Sequence, residues 1–215
     1  MPRVKDYTTL TQAIIDFSHR DDLAPFIDYY IQFGEQRIYR DIFLQNMGSG
    51  IEAMEEALTG AISGVGGTLA VPADYLSLKA MQVVDEAGDV ITLDFKDPQW
   101  IYDNYPQRTA IGIPQFVARD LGNFIFGPSP DAGYTIQGTY YSQASVLTAA
   151  NGVTWMTSEC PDVLLAACML EVGPFMKDAE QIEMWQSMYA TKLAGLIAKD
   201  MADKWSGATM QIDVG

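Results

Sequence analysis

The chain has 215 residues, 48% of them apolar and 19% charged, a balance that fits a folded globular protein and excludes the low-hydrophobicity, high-charge signature of disorder. Its 28 acidic and 13 basic side chains leave a net charge of −15, which repels phosphate backbones and argues against a surface that grips nucleic acid by releasing counterions. No apolar run approaches the roughly 20 residues needed to span a bilayer, and the opening segment lacks the apolar stretch of a signal peptide, so synthesis in the cytosol and no membrane partner are expected.

From Thr9 to His19 the apolar positions Leu10, Ile14 and Phe17 recur at helical spacing, with Thr9 or Thr11 as the cap. Asp21 and Asp22 offer a second cap, and Leu23, Phe26, Ile27, Tyr30, Gly34, Ile38 and Ile42 predict a long helix to about Gln45, with Pro25 in its first turn. Ile51 to Leu58 reads as a further turn or two of helix. The glycine-rich stretch 60–67 reads as a mobile loop.

Strand signals follow. Thr68 to Val71 is a short strand, and the alternating run Leu78 to Val84 forms a hairpin with Val90 to Phe95 across Glu86-Ala-Gly-Asp89. Asp97 caps a short helix with Pro98 at its first position. Phe116 to Arg119 and Asn123 to Phe126 are two strands meeting at Leu121-Gly122. Tyr134, Ile136, Gly138 and Tyr140 then occupy one face of a strand, and Thr135, Gln137, Thr139 and Tyr141 the other. Two helices close the pattern, Glu159 to Met176, apolar almost all round, and Asp178 to about Trp205.

Helices, then strands, then helices predict an α+β fold in which the N- and C-terminal helices pack as one helical body and an antiparallel β subdomain is inserted between them. The expected parts are 1–62 and 159–205 for the body, 63–158 for the insertion, and 206–215 as an extended tail.

Chemistry is scarce. His19 is the only histidine, which excludes any site needing two and places no zinc ligands around it; at the end of a helix it suits the dipole. Cys160 and Cys168, about two turns apart on a helix, read as reduced apolar residues. Gly64-Val-Gly-Gly67 precedes a strand and lacks the lysine of a phosphate-binding loop. No catalytic residue, cofactor or metal is expected. The paired tyrosines Tyr29-Tyr30 and Tyr140-Tyr141 point to different faces of their elements, so one of each pair is expected outside the core, at a subunit interface.

The order of these elements resembles the head-to-tail adaptor proteins of tailed bacteriophages, also called connector or head completion proteins. The resemblance is carried by Leu23-Ala-Pro-Phe-Ile-Asp-Tyr-Tyr-Ile31, Glu35-Gln-Arg-Ile-Tyr-Arg40, Val71-Pro-Ala-Asp-Tyr-Leu76, Gly127-Pro-Ser-Pro-Asp131 with Tyr134 to Tyr141, and Pro161 to Glu171 leading into Trp185 and Tyr189. It implies a structural, non-enzymatic subunit of a ring, usually a dodecamer, in the virion at the head–tail junction. The implied partners are the portal protein, a tail tube or nozzle protein and further copies of the chain, with genomic DNA passing through without specific binding. The resemblance also makes the C-terminal tail, with Met210, Gln211, Ile212, Asp213, Val214 and Gly215, the portal-binding element; an extended end of this kind can add a strand to a partner's sheet. Two other readings compete with it. One is a tail-associated cell-wall-degrading enzyme, whose clearest acid would be Glu171 in its apolar helix, although an ion pair with Arg37 or Arg40 explains that residue more simply. The other is a monomeric ligand-binding domain lined by aromatic residues.

Overall fold

A computed structural model of the chain describes residues 3–205. In chain order the helices are α1 (Tyr7–Ser18), α2 (Ile27–Gln45), α3 (Pro98–Asn104), α4 (Trp155–Glu159), α5 (Pro161–Met176) and α6 (Ala179–Trp205). The strands are β1 (Glu55–Ile62), β2 (Thr68–Ala70), β3 (Tyr75–Val84), β4 (Val90–Thr92), β5 (Asp94–Phe95), β6 (Ile111–Gly112), β7 (Phe116–Asp120), β8 (Asn123–Gly127), β9 (Ser129–Pro130) and β10 (Tyr134–Ser142). The fold is α+β. Two compact units divide the chain: a helical unit running up to Met54 and resuming at Ala144, and a β unit over Glu55–Gln143.

The helical unit is built around α5, whose Val163, Leu164, Ala166, Ala167, Cys168, Met169 and Val172 are all buried. Its small residues let neighbours approach closely. A Cβ added to Gly34 on α2 would lie 3.0 Å from the Cys168 sulfur, and one added to Gly173 would lie 2.8 Å from Ile182 on α6. Asp162 and Lys192 join α5 to α6 at 2.7 Å, and the Tyr189 hydroxyl donates to Asp41 at 2.9 Å, joining α6 to α2. α1 begins with a capping box: Asp6 accepts from the Thr9 N–H at 2.8 Å while the Asp6 N–H donates to the Thr9 hydroxyl at 3.1 Å, so two otherwise unpaired groups at the helix start are satisfied.

In the β unit one sheet has the order β1-β10-β3-β4, entirely antiparallel, and a second has the order β2-β8-β7-β5, with β5 parallel to β7. Leu58, Ile62, Val83 and Ile136 from the first sheet and Val117, Phe124 and Phe126 from the second share one apolar cluster. Tyr75 lies stacked on Tyr140 at 5.9 Å and edge-on to Phe124 at 5.6 Å, with the Arg119 guanidinium over its ring at 4.9 Å. Asp97 accepts from the Gln99 N–H at 2.8 Å and caps α3 as its sequence predicts.

Several expectations need correction. The cap of α1 is Asp6, not Thr9 or Thr11; Thr9 is instead the third helical residue and closes the capping box from inside. The long helix begins only at Ile27, because Asp21–Phe26, with Pro25 inside it, winds as a 3-10 turn. Residues 55–62 are not helical but form edge strand β1, whose eight residues pair with Tyr134 to Tyr141 of β10. The β unit accordingly starts at Glu55, earlier than 63, and ends at Gln143, earlier than 158.

Candidate assembly site

The glycine-rich stretch is no open loop. Gly60 to Ile62 lie in β1, and the turn that follows is held by the Arg108 guanidinium, which donates to the Gly66 and Gly67 carbonyls at 3.2 and 2.8 Å. Ser129 adds a second clasp: its hydroxyl accepts from the Gly66 N–H at 3.1 Å and donates to the Arg108 carbonyl at 2.7 Å. The turn is thus bonded on two sides, to the segment before β6 and to β9.

Of the two tyrosine pairs, each expected to place one member at a subunit interface, Tyr29 is 58% exposed, whereas Tyr30, Tyr140 and Tyr141 are buried, so the second pair presents neither ring. Tyr30 sits edge-on to Phe175 at 5.6 Å. Tyr140 belongs to the apolar cluster of the β unit, and its hydroxyl donates to Asp74 at 3.1 Å. Tyr29 stands in line with exposed Phe26 and Phe33, at the three- and four-residue spacing that keeps side chains on one side of a helix. The proposed portal-binding residues Met210 to Gly215 lie outside the described residues.

Among the described residues no group of three or more His, Cys, Asp and Glu side chains is placed to hold a metal ion, and no helix is long and apolar enough to cross a membrane. The acidic cluster at the end of α6 is built into the fold instead. Asp200 is buried, accepts from the Glu52 N–H at 2.6 Å and pairs with Lys204 at 2.7 Å. Both cysteines are buried free thiols, and burial pushes the Cys160 thiol up to about 12.

Residues 5–212 match the family described as SU10 adaptor protein. The chain belongs to this phage head–tail adaptor family. No curated protein matches the chain in sequence. The adaptor is therefore a structural component of phage assembly, and its place is with the proteins of the head and tail.

Seen as an adaptor, the chain has a structural use for Glu171. One of its carboxylate oxygens accepts from Arg37 Nε at 2.7 Å and lies 2.6 Å from Arg37 Nη2, binding α5 to α2. Both side chains are mostly covered, at 22% and 31% exposure, so the pair is worth more than a surface contact. We expect Arg37→Ala and Glu171→Ala to be coupled by about 1 kcal/mol in a double-mutant cycle read by urea unfolding, whereas additive losses would mean that the pair contributes nothing.

A second buried carboxyl group is one that motif reading passes over. Glu35 is 5% exposed, and both its oxygens lie 3.3 Å from the Leu147 N–H, the donor it accepts from. Burial raises it from its ordinary 4.5 to about 7, and the Leu147 N–H offsets part of that rise. Next to it the Tyr39 hydroxyl accepts from the Ala144 N–H at 2.8 Å and from the Trp155 indole at 3.2 Å. Glu35 and Tyr39 together clip the stretch Ala144 to Leu147 onto α2.

Proposed function

We propose that the adaptor is a ring subunit that sits beneath the portal and joins the DNA-filled head to the tail, twelve copies to a ring. The observation that carries this reading is the family match, which runs through both units and almost to the last residue. The build of the chain supports it. A subunit of such a ring needs a stiff body, and α5, buried on nearly every side, holds α2 and α6 in fixed register. A net charge of −15 suits a conduit that DNA must pass without adhering. The portal and a tail tube or nozzle protein are the proposed partners above and below, and the tail that includes Met210 to Gly215 is the proposed contact with the portal.

Negative-stain electron microscopy of the adaptor mixed with purified portal rings tests this. A second ring of density stacked on the portal is expected, and it should disappear when residues 206–215 are deleted while the circular dichroism of the shortened chain stays unchanged. Bare portals beside the free full-length chain would count against the reading.

A further inference from the structure

In a chain of net charge −15, the outward side of α6 is without charge over four turns. Between Glu183 and Lys199 its exposed residues include Met184, Met188, Thr191, Gly195 and Ala198. The one charged side chain of that stretch, Lys192, is turned toward α5 and paired with Asp162. Gly195 is the singular residue here. Glycine is among the poorest helix formers, so one in the middle of a 27-residue helix calls for a packing reason. Yet a Cβ added there would meet nothing within 4 Å, so the chain's own fold supplies no such reason.

α2 carries the opposite relief. Its exposed line runs through Tyr29, Phe33, Arg40 and Leu44 and ends on Met47, which is fully exposed just past the helix. The exposed charge on that line is the cation Arg40, 3.5 Å from the Asp41 carboxylate, whereas the exposed charges at the amino end of α6 are the anions Glu180 and Glu183.

The register of the two faces follows from contacts on the page. α2 and α6 both run antiparallel to α5, as Gly34–Cys168 with Tyr30–Phe175 and Gly173–Ile182 with Asp162–Lys192 show, so they run parallel to each other. The Tyr189–Asp41 bond brings them to within about one turn of level. Met47 and Gly195 each stand six residues beyond that bond, and Arg40 lies about 8 Å along the axis from Glu183, within the reach of the two side chains. A rotation about an axis along the helices preserves these levels.

We infer that the α2 line of one copy docks on the α6 face of a second copy, with Met47 seated in the gap at Gly195 and Arg40 facing Glu183. Two different faces of one chain meet, so the contact is head-to-tail and repeats from copy to copy, closing a ring when its rotation is a whole fraction of a turn. The inference rests on the ring reading above and names the surfaces that build it.

The test is mixed cross-linking. One preparation of full-length adaptor carries Met47→Cys and another, with a size tag, carries Gly195→Cys; they are mixed with portal rings and treated with a short bismaleimide. The native thiols, buried at 2% and 0% exposure, stay out of the reaction. A dimer band of mixed size, absent when either preparation is treated alone, is expected. Gly195→Trp fills the gap from a position where an added Cβ meets none of the chain's own atoms within 4 Å, and it should lower the number of portal-bound copies about tenfold or more while the melting temperature holds. Dimers from one preparation alone would mean a two-fold contact of like faces, and a product with the portal would assign the face to the portal; either overturns the inference. Stacked rings without the mixed dimer would overturn it while the ring reading stands. If no rings form with the wild-type chain, the ring reading itself fails, and the inference with it.

Discussion

Replacing Gly138 by valine is expected to lower the stability of the β unit by about 3 kcal/mol or more. Gly138 is in β10, the strand that pairs with both β1 and β3, opposite Leu58 on one side and Met81 on the other. Even a single Cβ there would stand 2.5 Å from the Ala80 carbonyl oxygen and 3.2 Å from the Met81 Cα. Both are main-chain atoms of β3 and cannot swing aside as a flexible side chain would. The ladder between β10 and β3 already shifts register at Thr139/Tyr140, one residue beyond this close approach. To admit valine the two strands must separate, which loosens Ile136 and Tyr140 from the apolar cluster they share with Phe124 and Phe126. Urea unfolding followed by tyrosine and tryptophan fluorescence reads the loss; an unchanged midpoint would mean that the strands are not held this tightly.

Glu35→Gln is expected to remove a pH dependence of similar size. The Glu35 carboxyl is raised from 4.5 to about 7 chiefly by burial, so the folded chain holds a proton that the unfolded chain has released over that interval. The sign follows directly. The stabilisation from protonated Glu35 is complete below pH 4.5 and is lost as pH rises through about 7. A displacement of about 2.5 pH units at about 1.4 kcal/mol each makes the loss about 3 kcal/mol. Glutamine keeps an acceptor for the Leu147 N–H and carries no charge to bury. Because the rest of the acidic surface also titrates, the quantity to measure is the difference in unfolding free energy between the parent and Glu35→Gln from pH 4.5 to pH 8. It should grow by about 3 kcal/mol across that window in favour of the variant. A constant difference would show that Glu35 titrates normally.

How much of this is legible in the sequence depends on whether the deciding force is local. α3 is readable because Asp97 and Pro98 cap and start it within one turn, and β10 because its buried Tyr134 and Ile136 alternate with exposed Thr135 and Gln137. α5 is readable because its apolar residues have no solvent side to avoid. β1 is not: Glu-Glu-Ala-Leu58 is rich in helix formers, and only pairing with β10, nearly eighty residues away in sequence, draws it into a sheet. The tyrosine pairs show the same limit. Alternation on a strand says that Tyr140 and Tyr141 point to opposite faces, but not that both faces are covered. Glu35 did leave a signal, since it falls on the line of Ile31, Ile38 and Ile42, the buried side of α2. The exposed faces of α2 and α6 are visible only once the fold shows which sides of those helices are already occupied.

The central claim, that the chain closes as a ring on the portal, is tested most directly by the mass that it adds to a portal ring at saturation, measured by native mass spectrometry. The expected result is one sharp increment, a whole multiple of 23.7 kDa corresponding to twelve copies, with no populated intermediates. A spread of small increments, or a portal mass that does not change, would contradict it.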